Sequence, residues 1–234
     1  MYYMLSSTIK DGNMSLSYGE KEEVINNRKK FFKDVKIPYE NTLVLKALNK
    51  NKIFDLDKAF LENNGDLSKV ILETDGVITK EKGIFFYLNF GDCIPLVIYD
   101  KKQEIMAFCH LGWKSVEMKL HIKAVEHLIK NYNSKIEDLL VELGPSIKKD
   151  SYIMENPSQL NISEWKEFIE KVEDNNYKVD LDGYVVHTLK EMGLSNIKVS
   201  EIDTFINEKY FSNYREHRYN LKDKGRFISG AMIK

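Results

Sequence analysis

Two consecutive apolar segments, CIPLVIYD (residues 93–100) and EIMAFCHL (residues 104–111), most constrain how this chain can fold. Both are rich in residues that favour strands, and only a few polar residues separate them, so they predict an antiparallel β-hairpin. Neither segment alternates apolar with polar side chains. This pattern predicts that both faces of the hairpin are buried.

The length of the connection sets the predicted register. If Lys101-Lys102 forms the turn and Asp100 faces Gln103, then Cys93 faces His110 at the open end of the hairpin. Directly opposed residues have Cβ atoms about 4.5–5.5 Å apart, so the thiol and the imidazole would share one pocket. In the same register Cys109 faces Ile94 on the other side of the sheet, where it is expected to be a core residue.

The remaining pattern predicts an α+β fold with mixed or antiparallel sheets. Helices are expected where apolar residues recur at helical spacing, and strands where short β-prone runs end in turn residues. The predicted helices cover residues 20–33, 115–132, 163–172 and 180–194, and the further predicted strands cover residues 42–48, 76–80, 85–90, 138–145 and 196–202.

Composition excludes several classes of partner. The 35 basic and 36 acidic residues give a net charge of −1, which argues against nucleic acid as the main partner. No apolar run approaches the roughly 18 residues of a membrane span, and the first residues do not resemble a signal peptide. With two cysteines there is no disulfide framework, so a reducing cytoplasm is the expected location.

The residues after His110 predict a tight turn into the long helix. Gly112 permits the turn and Ser115 is a candidate N-cap. A helix that begins there would direct free N–H groups at the pocket, where they could bind an anion and lower the pKa of the Cys93 thiol. On geometry alone, a small buried cysteine beside a satisfied histidine is an equally good interpretation.

The sequence resembles the laccase-domain family, whose members are described as multicopper polyphenol oxidases and as purine nucleoside phosphorylases. Asp92-Cys93-Ile94-Pro95 is similar to the family's Asp-Cys-Leu-Pro strand, and His110-Leu111-Gly112-Trp113 to its His-Ala-Gly-Trp. Weaker similarities in the same order extend over nearly the whole chain: Asn27-Arg28, residues 75–79, residues 144–147 with Tyr152, Phe211-Ser212 with Arg215, and Gly225-Arg226.

The resemblance implies a single domain over residues 1–234, with layered sheets flanked by helices. It also implies phosphorolysis of adenosine, inosine, guanosine or methylthioadenosine, with deamination of adenosine as a second activity, so a nucleoside and phosphate are the expected partners. The catalytic residues would be Cys93, His110 and Asp92. The expected substrate-binding residues are Asn49, Gly112, Trp113, Arg215 and Arg226.

The family's zinc site has one cysteine and two histidines, which here implies Cys93 and His110 as metal ligands. Asn49 stands where the other histidine is expected, which predicts a weakened zinc site and a reduced deaminase activity. Copper is not expected, because five histidines and two cysteines are too few for multicopper chemistry. Lys10 replaces an arginine of the family's N-terminal motif and could supply its charge.

Two other functions remain open from the sequence. In a cysteine-dependent hydrolase or amidase, Cys93 would be the nucleophile and His110 the base, with Asn49 or Asp92 orienting the imidazole. Alternatively, the lost site residues would leave a catalytically degenerate protein that binds a nucleoside or a protein partner.

Overall fold

A computed structural model describes residues 1–222 and 224–234. The helices are α1 (Lys21–Asp34), α2 (Lys58–Asn64), α3 (Trp113–Glu117), α4 (Leu120–Tyr132), α5 (Leu181–Glu191) and α6 (Asn213–Arg218). The strands are β1 (Tyr2–Ser6), β2 (Thr42–Lys46), β3 (Ile53–Leu56), β4 (Ile71–Glu73), β5 (Gly76–Thr79), β6 (Phe85–Phe90), β7 (Ile94–Asp100), β8 (Ile105–Leu111), β9 (Leu139–Leu143), β10 (Ile153–Glu155), β11 (Ile169–Glu173), β12 (Asn176–Val179), β13 (Ile197–Val199) and β14 (Phe227–Ile233).

Three sheets carry these strands. A six-stranded sheet has the order β13-β9-β7-β8-β5-β3, a five-stranded sheet the order β1-β14-β6-β2-β4, and a small sheet the order β10-β12-β11. The two large sheets mix parallel pairs, such as β2 with β6, with antiparallel pairs, such as β7 with β8. The predicted α+β class with mixed sheets is therefore confirmed.

The β7–β8 hairpin lies in the middle of the six-stranded sheet and is buried on both faces, as its sequence predicts. One face, which includes Leu96 and Cys109, packs with apolar residues of α4 and α5. The other face, which includes Val97 and Phe108, packs with residues of the five-stranded sheet. On the far side of that second sheet, Phe32 of α1 packs against Phe85 of β6. The layers therefore run helix, sheet, sheet, helices.

The predicted register of the hairpin is wrong by two residues. Asp100 pairs with Ile105, so His110 lies opposite Pro95, and Cys109 lies opposite Leu96 instead of Ile94. The turn is longer than expected because the Asp100 carboxylate accepts the N–H groups of residues 102 and 103. A shift of two keeps every side chain on its face of the sheet, because side chains alternate with a period of two.

Two predicted helices also need correction. The helix expected over residues 115–132 is two helices, because Lys119 adopts a left-handed conformation with φ 58° between α3 and α4. The segment 163–172 is not an α-helix. It forms a 3₁₀ turn over Ser163–Phe168 and then β11, which pairs with β12. In the described part of the chain, no helix is long and apolar enough to cross a membrane.

Candidate functional site

A cavity of about 440 Å³ opens where β7 begins and β8 ends. The rest of its wall includes the loop between β2 and β3 and the starts of α3, α5 and α6. It contains most of the residues singled out from the sequence, together with several that were not. The lining residues are Asn49, Gly91, Asp92, Cys93, His110, Gly112, Trp113, Lys114, Ile147, Tyr152, Leu181, Asn213 and Tyr214.

Three candidate side chains converge on Gly112. A Cβ atom at this position would lie 3.3 Å from the Cys93 Sγ, 3.6 Å from the His110 Cε1 and 3.8 Å from the Asn49 Oδ1. The glycine therefore leaves a space between the thiol, the imidazole and the amide. The structure brings Cys93, His110 and Asn49 together, as expected, although Cys93 and His110 are not directly opposed in the hairpin.

Asp75 fixes the loop that carries Asn49. Its carboxylate accepts the backbone N–H groups of residues 48, 49, 50 and 52, at 2.5–3.0 Å. Its backbone carbonyl accepts the N–H of His110. Burial opposes ionisation of this carboxyl group, but the four N–H donors outweigh it and lower the pKa of Asp75. Asp75 belongs to the motif over residues 75–79, but the sequence assigned it no role; its position directly before a buried strand was a second local signal.

The thiol and the imidazole are both held in their neutral forms. Burial lowers the pKa of His110 to about 4, although Asp75 partly opposes the shift. Burial, and then the charge of Asp92, raise the pKa of the Cys93 thiol to about 12. The expectation of a lowered thiol pKa is thus wrong. Its basis fails as well, because α3 has five residues and is capped by Gly112, while Ser115 is buried inside it.

Asp92 attaches Thr204 and the first turn of α6 to the wall of the cavity. One carboxylate oxygen accepts the Thr204 hydroxyl at 2.7 Å, and the other accepts the Tyr214 N–H at 2.6 Å. Burial raises the pKa of Asp92 to about 6 in spite of these donors. The residue has φ 117°, a strained backbone conformation for a side chain other than glycine. Strain of this kind persists only where the surrounding structure imposes it. Here it sets the orientation of Asp92, which directly precedes Cys93.

The two arginines expected to bind substrate are occupied by the protein itself. The Arg226 guanidinium forms an ion pair of 2.7 Å with the buried Glu216 and donates to the Tyr18 hydroxyl. The Arg215 guanidinium donates to backbone carbonyls of residues 204, 205 and 210. Neither side chain is among those that line the cavity. Both hold loops that surround it.

The donor set fits a zinc ion incompletely. Cys93 and His110 are zinc ligands by type, and the His110 Nδ1 is buried without a hydrogen-bond partner among the described residues. Asn49 adds only a neutral amide oxygen. Within residues 1–222 and 224–234, no three side chains of histidine, cysteine, aspartate or glutamate are grouped as a metal site. The residues present thus supply two of three strong ligands.

Solved structures share the fold. A Bacillus licheniformis hypothetical protein named YfiH superposes with a TM-score of 0.83 at 22% identity, over 95% of this chain and 85% of that one. YlmD from Geobacillus stearothermophilus gives a TM-score of 0.82 at 22% identity, over 95% and 84% of the two chains.

Relatives in sequence include proteins named purine nucleoside phosphorylase. One from Rickettsia conorii is 25% identical over 223 residues, which are 91% of this chain and 85% of the relative. One from Clostridium acetobutylicum is 29% identical over 168 residues, 71% of this chain and 70% of the relative. The profile of the family described as multi-copper polyphenol oxidoreductase laccase matches residues 5–234. The resemblance seen in the motifs thus extends over almost the whole sequence, and the chain belongs to this laccase-domain family.

Proposed function

We propose that the chain is a purine nucleoside phosphorylase, which cleaves a nucleoside with inorganic phosphate in the cavity around Gly112. The observation that carries the proposal is the convergence of Cys93, His110 and Asn49 on one glycine. Relatives named for this activity cover most of the chain. The cavity volume of about 440 Å³ falls within the range of small-molecule sites.

In the proposed reaction a phosphate oxygen attacks C1′ of the ribose as the N-glycosidic bond breaks. The bonding electrons pass to the purine, which takes up the proton that hydrogen phosphate gives up, and the products are ribose 1-phosphate and the free base. Positive charge develops on the ribose ring in the transition state, so fixed dipoles around it would supply much of the rate enhancement. The neutral thiol, imidazole and amide are polar groups of this kind.

The proposed nucleoside substrates are adenosine, inosine, guanosine and methylthioadenosine. Deamination of adenosine depends most directly on a metal-activated water, so it is expected to be the weaker activity in a site with Asn49. A thiol with a pKa of about 12 does not favour the cysteine-dependent hydrolase, because the nucleophile in that chemistry is the thiolate.

The deciding experiment measures free base released from adenosine and inosine, with and without inorganic phosphate. Phosphorolysis requires base release that depends on phosphate and yields ribose 1-phosphate in equal amount. Cys93→Ala is expected to abolish the release, whereas Lys130→Met, an exposed change on α4, is expected to leave it intact. Release that is independent of phosphate would indicate a hydrolase. No release in protein with or without added zinc would refute the phosphorylase.

A further inference from the structure

We propose that Lys114 binds the phosphate co-substrate, an inference that rests on the proposed phosphorylase function. A dianionic substrate entering a partly buried cavity needs positive charge or N–H donors close by. Among the described residues that line the cavity, only two have charged side chains, Asp92 and Lys114. Because Asp92 repels phosphate whenever it is ionised, the lysine is the cation available to bind it.

The other cations suggested by the sequence are used elsewhere. The Arg226 guanidinium is neutralised by Glu216, and Arg215 donates to three carbonyl groups of the loop before α6. Lys10 lies in a single 3₁₀ turn, Ile9–Asp11, outside the lining of the cavity. Recruiting either arginine would break buried or partly buried hydrogen bonds, which costs free energy that phosphate binding would have to supply.

Lys114, in contrast, forms no ion pair with a described residue that would compete with a ligand. Its side chain is exposed. Its Nζ lies 5.3 Å from the centre of the Trp113 ring, which itself lines the cavity. This cation–π contact is worth only about 0.5–1 kcal/mol at an exposed site. It holds the ammonium group beside the cavity without competing strongly with an anion.

The position of the lysine follows from local structure. Gly112 caps α3, so Trp113 and Lys114 are its first two residues, and both line the same cavity as His110. Lys114 lies two residues after Gly112, where Cys93, His110 and Asn49 meet, so phosphate bound to it would share the cavity with these groups. The ribose would then lie between the phosphate and the groups that bind the rest of the nucleoside.

The test separates phosphate binding from nucleoside binding by steady-state kinetics. Lys114→Met, which keeps an unbranched side chain of nearly the same length and removes its charge, is expected to raise the KM for phosphate at least about tenfold. The KM for the nucleoside at saturating phosphate is expected to change less than about twofold. Lys114→Arg should restore most of the phosphate affinity. Lys130→Met, with the same change of charge on an exposed part of α4, should leave both constants unchanged.

Sulfate gives a second readout, because it resembles phosphate in shape and charge but cannot form ribose 1-phosphate. It is expected to inhibit competitively against phosphate, and its inhibition constant should rise in Lys114→Met by the same factor as the KM. An unchanged KM for phosphate in Lys114→Met, with wild-type protein active, would overturn the assignment of Lys114 and leave the phosphorylase intact.

Calorimetric titration with inorganic phosphate keeps the assignment testable if no turnover is found. Wild-type protein should bind phosphate, measured with and without adenosine, and Lys114→Met should bind at least about tenfold more weakly. If no turnover is found but Lys114→Met binds phosphate more weakly than wild type, the phosphorylase is refuted and the phosphate site at Lys114 is supported. Equal binding by the two proteins, or no binding by either, would overturn the role of Lys114.

Discussion

The carboxylate of Asp75 accepts the backbone N–H of Asn49 at 2.5 Å, although the two residues lie in different loops. The same carboxylate binds the N–H groups on both sides of Asn49, and the backbone carbonyl of Asp75 accepts the N–H of His110. One residue therefore fixes the positions of two of the three groups that meet at Gly112.

Asp75→Asn tests this dependence. The amide keeps the shape of the carboxylate but replaces one acceptor oxygen with a donor that faces backbone N–H groups, so at least one partly buried donor loses its partner. The expected cost in unfolding free energy is about 3 kcal/mol, measured by denaturant unfolding. We also expect the KM for the nucleoside to rise. Asp66→Asn is the matched control, because its carboxylate accepts a backbone N–H at the surface. Equal small effects in both variants would contradict the role of Asp75.

Gly112→Ala tests whether the space at the centre of the site is needed. A methyl group here would lie in contact with Cys93, His110 and Asn49 while leaving the extended backbone unstrained. The expected result is a loss in kcat/KM of at least about 30-fold, near 2 kcal/mol of transition-state stabilisation, with little change in stability.

Gly76→Ala provides the contrast, because its Cβ would lie 2.8 Å from the Cys109 Sγ and 3.3 Å from the Phe108 carbonyl oxygen in the core. That variant should lower the melting temperature. Gly112→Ala should lower activity. Full activity in Gly112→Ala would show that the space at residue 112 is not needed. A loss of activity no larger than the loss of folded protein would show that the variant acts through stability.

Much of the fold and part of the site could be predicted from sequence, because they depend on local pattern. The apolar runs of the hairpin required burial on both faces, and alternation placed Cys93 and His110 on one side of the sheet. The register could not be obtained in this way, because the Asp100 side chain lengthens the turn. A two-residue shift leaves every side chain on the same face of the sheet, so the predicted location of the pocket is correct although the predicted register is not.

Interactions between distant segments account for what was missed. Residues 163–172 have apolar residues at helical spacing, but β11 forms because β12 is available to pair with it. The bonds from Asp75 to residues 48–52 and from Arg215 to residues 204–210 join separate loops, and no local pattern indicates them. Motif similarity predicted Arg215 and Arg226 as substrate-binding residues, whereas only the contacts show that their guanidinium groups are already occupied.

Alkylation kinetics test the protonation state of Cys93. With a pKa of about 12, roughly one thiol in 10,000 is ionised at pH 8, so iodoacetamide should modify Cys93 slowly after treatment with a chelator. The rate should rise about tenfold per pH unit between pH 7 and 10, as the thiolate fraction does. Protein unfolded in denaturant is the control, since its thiols titrate near their usual value. Equally fast modification of folded and unfolded protein at pH 7 would show that the thiolate is stabilised.

Asn49→His tests the incomplete donor set. Histidine tolerates the φ of 54° at this position better than most residues do, and its ring would approach the Cys93 Sγ and His110 around Gly112. The variant is expected to raise zinc bound per chain towards one, measured by elemental analysis after equilibration with limiting zinc. Adding His110→Ala should reverse the gain. Unchanged zinc content would show that residue 49 does not reach the position of a third ligand.

His121 gives the fold a predicted acid sensitivity that is separate from the site. The imidazole is fully buried between α4 and α5, its Nε2 lies 2.9 Å from the Thr188 hydroxyl, and burial lowers its pKa to about 3. In the unfolded chain histidine titrates near pH 6.5, so the unfolded state binds the proton first as the pH falls. Stability is therefore complete above pH 6.5 and decreases down to about pH 3, with a loss from this residue of about 2 kcal/mol at pH 5.

Denaturant unfolding at several pH values between 4 and 8 measures this loss. His121→Gln removes the titrating group and keeps a donor for Thr188, so it should be less stable than wild type at pH 8 and should have a shallower dependence on pH. His187→Gln is the matched control, because it makes the same substitution at a half-exposed histidine of α5. Its pH dependence should equal that of wild type. If His121→Gln retains the full slope, the acid sensitivity arises from other groups.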